Sequence, residues 1–100
     1  MAGYRRKTAL SPQEVLHHAQ TALPVMVGLA KSRETAHEAI YDGAEGSLTL
    51  SVHRHGPYTD VVASTDRLRT SRLDYEVQRF LNQLPYEPGD HGGPGSGEPT

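Results

Sequence analysis

Two histidines stand two positions apart in the middle of the chain, at His53 and His55. Residues i and i+2 of a β-strand point to the same face, so both imidazoles could reach one metal ion, with Asp60 or His37 as a third ligand. The alternative is the polar outer face of a half-exposed sheet, because no carboxylate stands at a fixed spacing from the pair. We treat His53 and His55 as weak metal candidates and expect neither a bound metal nor another cofactor.

Other catalytic residue types are present without the spacing that catalysis needs. No serine stands in the glycine-flanked turn that exposes a hydrolase nucleophile, and no glycine-rich phosphate loop ends in Lys followed by Ser or Thr. The chain has no cysteine, which excludes disulfides, thiolate catalysis and cysteine-based zinc sites. One hundred residues also leave little room for a pocket of the usual size. We expect a protein that is not an enzyme.

Basic residues form three short clusters along the sequence. Arginine and lysine side chains bind phosphate groups, and a homodimer would double each cluster. The alternative is ordinary solvation of the surface, because positions 1–84 hold all ten Lys and Arg residues and nine of the twelve Asp and Glu residues. The candidate nucleic-acid-binding residues are Arg5, Arg6 and Lys7, then Lys31 and Arg33, and then Arg67, Arg69 and Arg72.

The elements that position these residues begin with a helix. Ser11 is a suitable N-cap, Pro12 suits the first helical position, and Glu14 completes a capping box. Apolar residues then recur at helical spacing. Pro24 interrupts this pattern, because an interior proline removes a backbone hydrogen bond and usually kinks a helix. We predict one long helix over residues 12–31 with a bend near 20–24, and the alternative is a break at Pro24.

Three strands follow as a predicted antiparallel meander. Residues 47–54 alternate apolar and polar side chains between two turn segments, and residues 58–64 return as the next strand. Residues 35–42 fit either a strand or a helical turn, and the turn residues that follow favour a strand. A last amphipathic helix is predicted over residues 71–84, where Pro85 ends it.

These elements predict a single α+β domain over residues 11–84, in the order α-β-β-β-α. Residues 1–10 are expected to be a flexible arm, and the Pro/Gly-rich residues 85–100 a disordered tail, since the tail has no aliphatic side chain to bury. So small a core usually needs burial between two copies, which favours a homodimer. No apolar run reaches the ~18 residues that cross a bilayer and no signal-type segment is present, so we expect a cytoplasmic protein without a membrane partner.

The later part of the chain also follows a pattern of glycines, strand residues and a final helix. Its members are Gly46, the alternating residues 48–52, Gly56, Thr59, Asp60, Val61, Asp66, Leu68 and the helix at 73–84. This pattern resembles the YbaB/EbfC family of small bacterial nucleoid-associated proteins, as a divergent member, over about residues 12–84. The chain departs from the family pattern at Pro24 and Gly28, which interrupt the first helix, and at Pro85, which ends the last one early.

The resemblance implies a homodimer whose sheets associate centrally while the helices project. It also implies binding to double-stranded DNA with little sequence preference, and a location in the bacterial nucleoid. Some similar proteins lie beside type VII secretion genes. The alternative function is therefore a protein-interaction adaptor that binds an unidentified protein and not DNA, with type VII secretion as one setting for it.

Overall fold

The computed structural model describes residues 2–85, so the predicted disorder of residues 86–100 lies outside the described residues. The elements are β1 (Ala2–Thr8), α1 (Pro12–Val27), β2 (Ala30–Glu34), β3 (Glu38–Gly43), β4 (Gly46–His55), β5 (Tyr58–Thr65) and α2 (Arg72–Gln83). The five strands form one antiparallel sheet in the order β1-β5-β4-β3-β2, and the two helices pack against one of its faces. The predicted α+β class is confirmed, and the predicted number of strands is wrong.

The N-terminal segment is a strand and not the predicted flexible arm. β1 pairs with β5 over seven consecutive positions, from Ala2 opposite Thr65 to Thr8 opposite Thr59. Sequence patterning missed this strand because its residues are mostly polar and its partners come from the far end of the chain. β1 therefore forms one edge of the sheet.

Helix α1 begins as predicted and ends earlier. In the capping box, the Ser11 N–H donates to Glu14 Oε1 at 2.8 Å and the Glu14 N–H donates to Ser11 Oγ at 3.2 Å. The helix continues through Pro24, so the alternative of a break there is wrong. It ends at Gly28, which adopts a φ of 67° and donates its N–H to the Pro24 carbonyl at 3.1 Å. The predicted extension to residue 31 is wrong because glycine favours this left-handed end.

The predicted meander is present as β3, β4 and β5, and it is extended by a strand at each edge. Of the two alternatives for residues 35–42, the strand is confirmed and the helical turn is wrong. The strand begins at Glu38. Strand β2 was missed because all five of its residues are exposed and give no alternation of apolar and polar side chains. It pairs with β3 through a register shift between Lys31 and Arg33. Helix α1 thus carries the chain from one edge of the sheet to the other.

The core lies between the helices and one face of the sheet. Strand β4 contributes alternate buried residues, as its pattern predicts, and a fully buried apolar side chain stabilises the fold by about 1.5–3 kcal/mol. No described element covers the other sheet face. The main core side chains are Val15, Ala19 and Leu23 of α1, Tyr41 of β3, Leu48, Leu50 and Val52 of β4, Val61 and Ala63 of β5, and Leu73, Val77 and Phe80 of α2.

Candidate nucleic-acid interface

The sheet face that points away from the helices is a surface of small and polar side chains. Near its middle, Thr49 of β4 lies between Ile40 of β3 and Ser64 of β5. One step along the strands, Ser51 lies opposite Val62, which is half-buried. Successive side chains of a strand point to opposite sides of the sheet, so the outward side chains of neighbouring strands lie side by side, where a ligand can reach them.

Four ring side chains form two stacked pairs at one end of this face, where the β2–β3 and β4–β5 turns meet. The rings of His37 and His53 lie 5.7 Å apart between centroids with an interplanar angle of 9°. The rings of His55 and Tyr58 lie 5.8 Å apart at 27°. His53 and His55 are exposed and two positions apart on β4, so they share this face. We call these four residues the ring cluster.

Two cations of β1 border the ring cluster. Lys7 Nζ lies 5.0 Å from the centre of the Tyr58 ring, within the range of a cation–π contact. Arg5, whose side chain is 68% exposed, places Nε 3.3 Å from Asp60 Oδ1, although this oxygen accepts no hydrogen bond from a described residue. Because Arg5 and Lys7 are two positions apart on a strand, both point to the outer face.

Asp60 is the acidic residue at the centre of this group. It lies opposite Lys7 of β1 on one side and opposite His53 of β4 on the other. Its carboxylate offsets part of the positive charge of Arg5 and Lys7. The surface therefore combines the exposed rings of three histidines and the half-buried ring of Tyr58 with moderate positive charge, and it is not a strongly basic patch.

The two weak metal candidates, His53 and His55, have no third ligand placed beside them among the described residues. The His53 and His55 rings each stack on a different neighbour, and among residues 2–85 no group of three His, Cys, Asp or Glu side chains is placed to hold a metal ion. The i, i+2 spacing placed both imidazoles on one face correctly. It did not reveal that their ring partners come from the adjacent turn and strand.

Some predicted phosphate-binding residues have structural contacts instead. Arg6 points to the helix side, where Nε donates to the Leu84 carbonyl at 3.1 Å beyond the end of α2. Lys31 Nζ donates to Gln20 Oε1 at 3.0 Å and also pairs with Glu34. These contacts hold β1 and β2 in place and leave both cations poorly placed to contact a common ligand.

The remaining candidates are spread around the molecule. Arg67 lies 3.6 Å from Asp66, and Arg72 lies 3.7 Å from Glu45. The Arg69 guanidinium lies 4.9 Å from the centre of the Tyr4 ring. Arg33 is on β2, at the edge of the sheet opposite β1. Of the eight predicted residues, the structure brings only Arg5 and Lys7 to the ring cluster.

A buried carboxylate lies on the helix side of the sheet, where sequence patterning did not predict one. Asp74 is fully buried and accepts hydrogen bonds from Tyr4 Oη at 2.5 Å, from Thr65 Oγ1 at 2.8 Å and from Ser71 Oγ at 2.8 Å. Burial and the Asp74 contact raise the pKa of Tyr4. The spacing of Ser71 and Asp74 is the capping signal that could have located this cluster. The three donors come from β1, from β5 and from the N-cap of α2, so their hydrogen bonds to Asp74 hold these elements together. We therefore assign the cluster a structural role.

Comparison with models of known protein families gives no match, and comparison with curated proteins gives none either. The resemblance to the YbaB/EbfC family therefore remains a prediction from the sequence pattern. In the part of the chain that the structure describes, neither helix has the length and apolar character needed to cross a membrane.

Proposed function

We propose that the chain is a non-catalytic protein that binds DNA through the ring cluster, with little sequence preference. The observation that carries this proposal is the pair of ring stacks on an uncovered sheet face, bordered by Arg5 and Lys7. Exposed rings offer flat surfaces to unpaired bases, and Lys and Arg neutralise phosphates. Neither interaction reads a particular base.

The ring cluster favours a single strand over the double-stranded DNA that the family resemblance implies. Bases within a duplex are already stacked on one another, so they cannot stack on His53 or Tyr58 without being unpaired first. Stacking contributes about 1–3 kcal/mol per base in single-strand complexes. We therefore propose single-stranded DNA as the preferred ligand and duplex DNA as a weaker one.

The test is a fluorescence anisotropy titration of the full chain with a labelled oligothymidylate of ~16 nucleotides, a length within the range that single-strand-binding domains cover. Arg5 and Lys7 would contact two phosphates. The logarithm of the binding constant is therefore expected to fall by about 1.4 per tenfold rise in salt concentration, which is a shallow dependence. The same titration with a duplex is expected to give weaker binding. An absence of binding at ~100 μM protein in low salt would reject the proposed function.

The surface is tested with the variant Tyr58→Ser and the control Arg33→Gln on the opposite edge of the sheet. Removal of the Tyr58 ring is expected to weaken binding by about 5- to 150-fold, the equivalent of one lost stacking contact of about 1–3 kcal/mol. Arg33→Gln is expected to change it less than twofold. Equal losses in both variants, with circular dichroism showing native folds, would mean that DNA binds elsewhere.

We also propose a homodimer that leaves the ring cluster open. Three large apolar side chains are exposed where α1 ends and α2 begins: Val25 at 86%, Leu68 at 72% and Tyr75 at 61%. The two helices are joined there by Arg72 Nη2, which donates to the Met26 carbonyl at 3.5 Å. Burial of these side chains against a second copy would remove apolar surface from water.

Light scattering tests the homodimer. The expected mass is twice the 10.9 kDa of one chain, and the double variant Val25→Ser, Tyr75→Ser is expected to be a monomer with an unchanged circular dichroism spectrum. A monomer of the unmodified chain at ~100 μM, in the range where weak complexes form, would contradict the proposal. A double variant that remains a dimer would place the contact on another surface.

A further inference from the structure

We propose that the cleft between β1 and α2 binds an extended acidic segment of a partner protein, which adds a strand to the sheet beside β1. The cleft has a volume of about 490 Å³ and lies between residues 4–7 of β1 and Gln78, Leu81 and Asn82 of α2. The cleft shares Arg5 and Lys7 with the border of the ring cluster, but none of the four ring residues lines it.

The edge of β1 provides the backbone groups that strand addition needs. Among residues 2–85, β1 is an outermost strand with β5 as its single neighbour, so alternate N–H and C=O groups point away from the described sheet. The Gly3 carbonyl accepts a hydrogen bond from Arg69 Nη2 at 3.5 Å, and the Ala9 N–H donates to the Pro85 carbonyl at 3.3 Å. Between these two points lie five residues, a length of about 17 Å.

The opposite edge of the sheet is protected against such pairing, whereas β1 is regular. Strand β2 is five residues long and has a register shift between Lys31 and Arg33. A bulge disrupts the ladder of hydrogen bonds and twists an edge away from an incoming strand. The register of β1 with β5 has no shift over its seven pairs. Of the two edges, β1 is therefore the one that can accept another strand.

The charge of the cleft identifies the class of segment. Arg5, Arg6 and Lys7 contribute to its wall, and none of the described residues that line it is acidic. Arg5 and Lys7 point to the outer face, while Tyr4 and Leu81 lie on the helix side. A segment that alternates acidic and apolar residues would place carboxylates beside the two cations and apolar side chains beside Tyr4 and Leu81.

The same charges disfavour a second copy of the chain as the occupant. Two β1 strands paired antiparallel about a twofold axis at Arg6 would place Arg6 opposite the partner's Arg6 and Arg5 opposite the partner's Lys7. Like charges directly opposite each other destabilise a pair of strands. A nucleic acid strand would lack the alternating backbone donors and acceptors that the edge of β1 requires.

The experiment uses the full chain and a fluorescein-labelled seven-residue peptide of alternating valine and glutamate, which matches the length of β1. Anisotropy is expected to show saturable binding, and the matching valine–lysine peptide is expected to bind at least 10-fold more weakly. Methylation of the backbone nitrogens of the glutamates or of the valines tests strand pairing. One of the two methylated sets is expected to lose at least 10-fold in affinity and the other to change little. Equal binding of both charge types, or indifference to both methylated sets, would overturn the proposal.

A charge-reversal variant tests the position of the segment. Arg5→Glu with Lys7→Glu is expected to weaken binding of the glutamate peptide and to strengthen binding of the lysine peptide, a gain that a misfolded protein would not show. The control Arg33→Glu on β2 is expected to leave both affinities unchanged. Loss of both peptides by the charge-reversal variant, or displacement of the probe by a synthetic peptide of residues 86–100, would overturn the partner proposal.

One variant distinguishes the failure of the proposed DNA binding from the failure of the proposed peptide binding. Tyr58→Ser is expected to weaken DNA binding by the full stacking contribution and to change the affinity for the glutamate peptide less than threefold, because Tyr58 does not line the cleft and contacts it through Lys7 alone among the described residues of its lining. If Tyr58→Ser weakened both ligands equally, the peptide would be binding on the ring cluster and the assignment to the cleft would be wrong.

Discussion

The phenol oxygen of Tyr4 donates a hydrogen bond of 2.5 Å to Asp74 Oδ2, seventy positions further along the chain. This contact joins the edge strand β1 to the first turn of α2. The same carboxylate accepts hydrogen bonds from Thr65 of β5 and from Ser71, the N-cap of α2. One buried side chain thus fixes the relative position of two strands and a helix.

We expect the variant Tyr4→Phe to lower the free energy of unfolding by about 1–2 kcal/mol, because one donor to the buried carboxylate is lost. Asp74→Ala should cost more, about 3 kcal/mol, since it leaves three donors without their acceptor, while the backbone N–H of residue 74 still caps the helix through Ser71 Oγ. Urea unfolding followed by circular dichroism measures both. The control is Tyr75→Phe, on an exposed side chain, and a Tyr4→Phe effect as small as that of the control would contradict a stabilising role.

The stability of the protein should fall at alkaline pH because of Tyr41. This side chain is fully buried, and its hydroxyl has no hydrogen-bond partner among the described residues. Burial, with a smaller contribution from the charge of Glu34, raises the pKa of Tyr41 from 10.0 to about 12. The folded state therefore holds this proton more tightly than the unfolded state, and its contribution is complete below pH 10 and lost as the pH rises towards 12.

The loss is on the order of 2 kcal/mol and is measured by urea unfolding at several pH values between 8 and 12, with phenolate absorbance as a direct titration. Tyr41→Phe is expected to be as stable as the unmodified chain or more stable at pH 7, because it removes an unpaired buried hydroxyl. It should also lose less stability at high pH, although Tyr4, whose pKa is also raised, will keep part of the dependence. An identical alkaline loss in the variant would show that Tyr41 is not its source.

Two glycines with positive φ are expected to respond differently to an added methyl group. At Gly46, with a φ of 131°, a Cβ atom would lie 2.6 Å from Arg67 Nε and 2.7 Å from Asp66 Oδ1. At Gly28, with a φ of 67°, nothing lies within 4 Å of that position. We expect Gly28→Ala to cost about 1 kcal/mol from backbone strain alone, and Gly46→Ala to cost about 2–3 kcal/mol. Thermal unfolding of the pair measures the difference, and equal costs would show that the contacts of Gly46 are unimportant.

The substitution Pro24→Ala is expected to stabilise the protein by about 1–2 kcal/mol. Pro24 is exposed within the last turn of α1, where it lacks the N–H that would bond to the carbonyl four residues earlier. The gain is partly offset because proline also restricts the unfolded chain. The matched control is Pro12→Ala at the start of the helix, where proline is favourable and its removal should cost a few tenths of a kcal/mol. Destabilisation by Pro24→Ala, measured by urea unfolding, would contradict this account.

The parts of the fold that were predicted correctly depend on local signals. The capping box of Ser11 and Glu14, the alternation in β4 and the apolar stripe of α2 each lie within one short segment. Strands β1 and β2 gave no such signal, because one is a mixed polar segment and the other is exposed along its whole length. Their places in the sheet depend on partners elsewhere in the chain, which periodicity cannot identify.

In the candidate site, too, the features that depend on local spacing were predicted, and the contacts between distant residues were not. Local spacing correctly placed His53 and His55 on one face, but stacking on His37 and Tyr58 depends on how neighbouring strands and turns align. Arg5 and Arg6 were grouped because they are adjacent in sequence, and adjacent residues of a strand point to opposite faces. The structure accordingly places Arg5 beside the ring cluster and Arg6 beside the end of α2.

The pairing of β1 with β5 has a consequence for the order of events during synthesis. The first seven described residues leave the ribosome early, yet their partners lie between Thr59 and Leu84. They must therefore wait until almost the whole described chain has emerged. Contacts so distant in sequence slow folding, and until β1 arrives the edge of β5 is open to pairing with other chains. Pairing of β1 with β5 is thus possible only late in synthesis, and it moves the open edge of the sheet from β5 to β1.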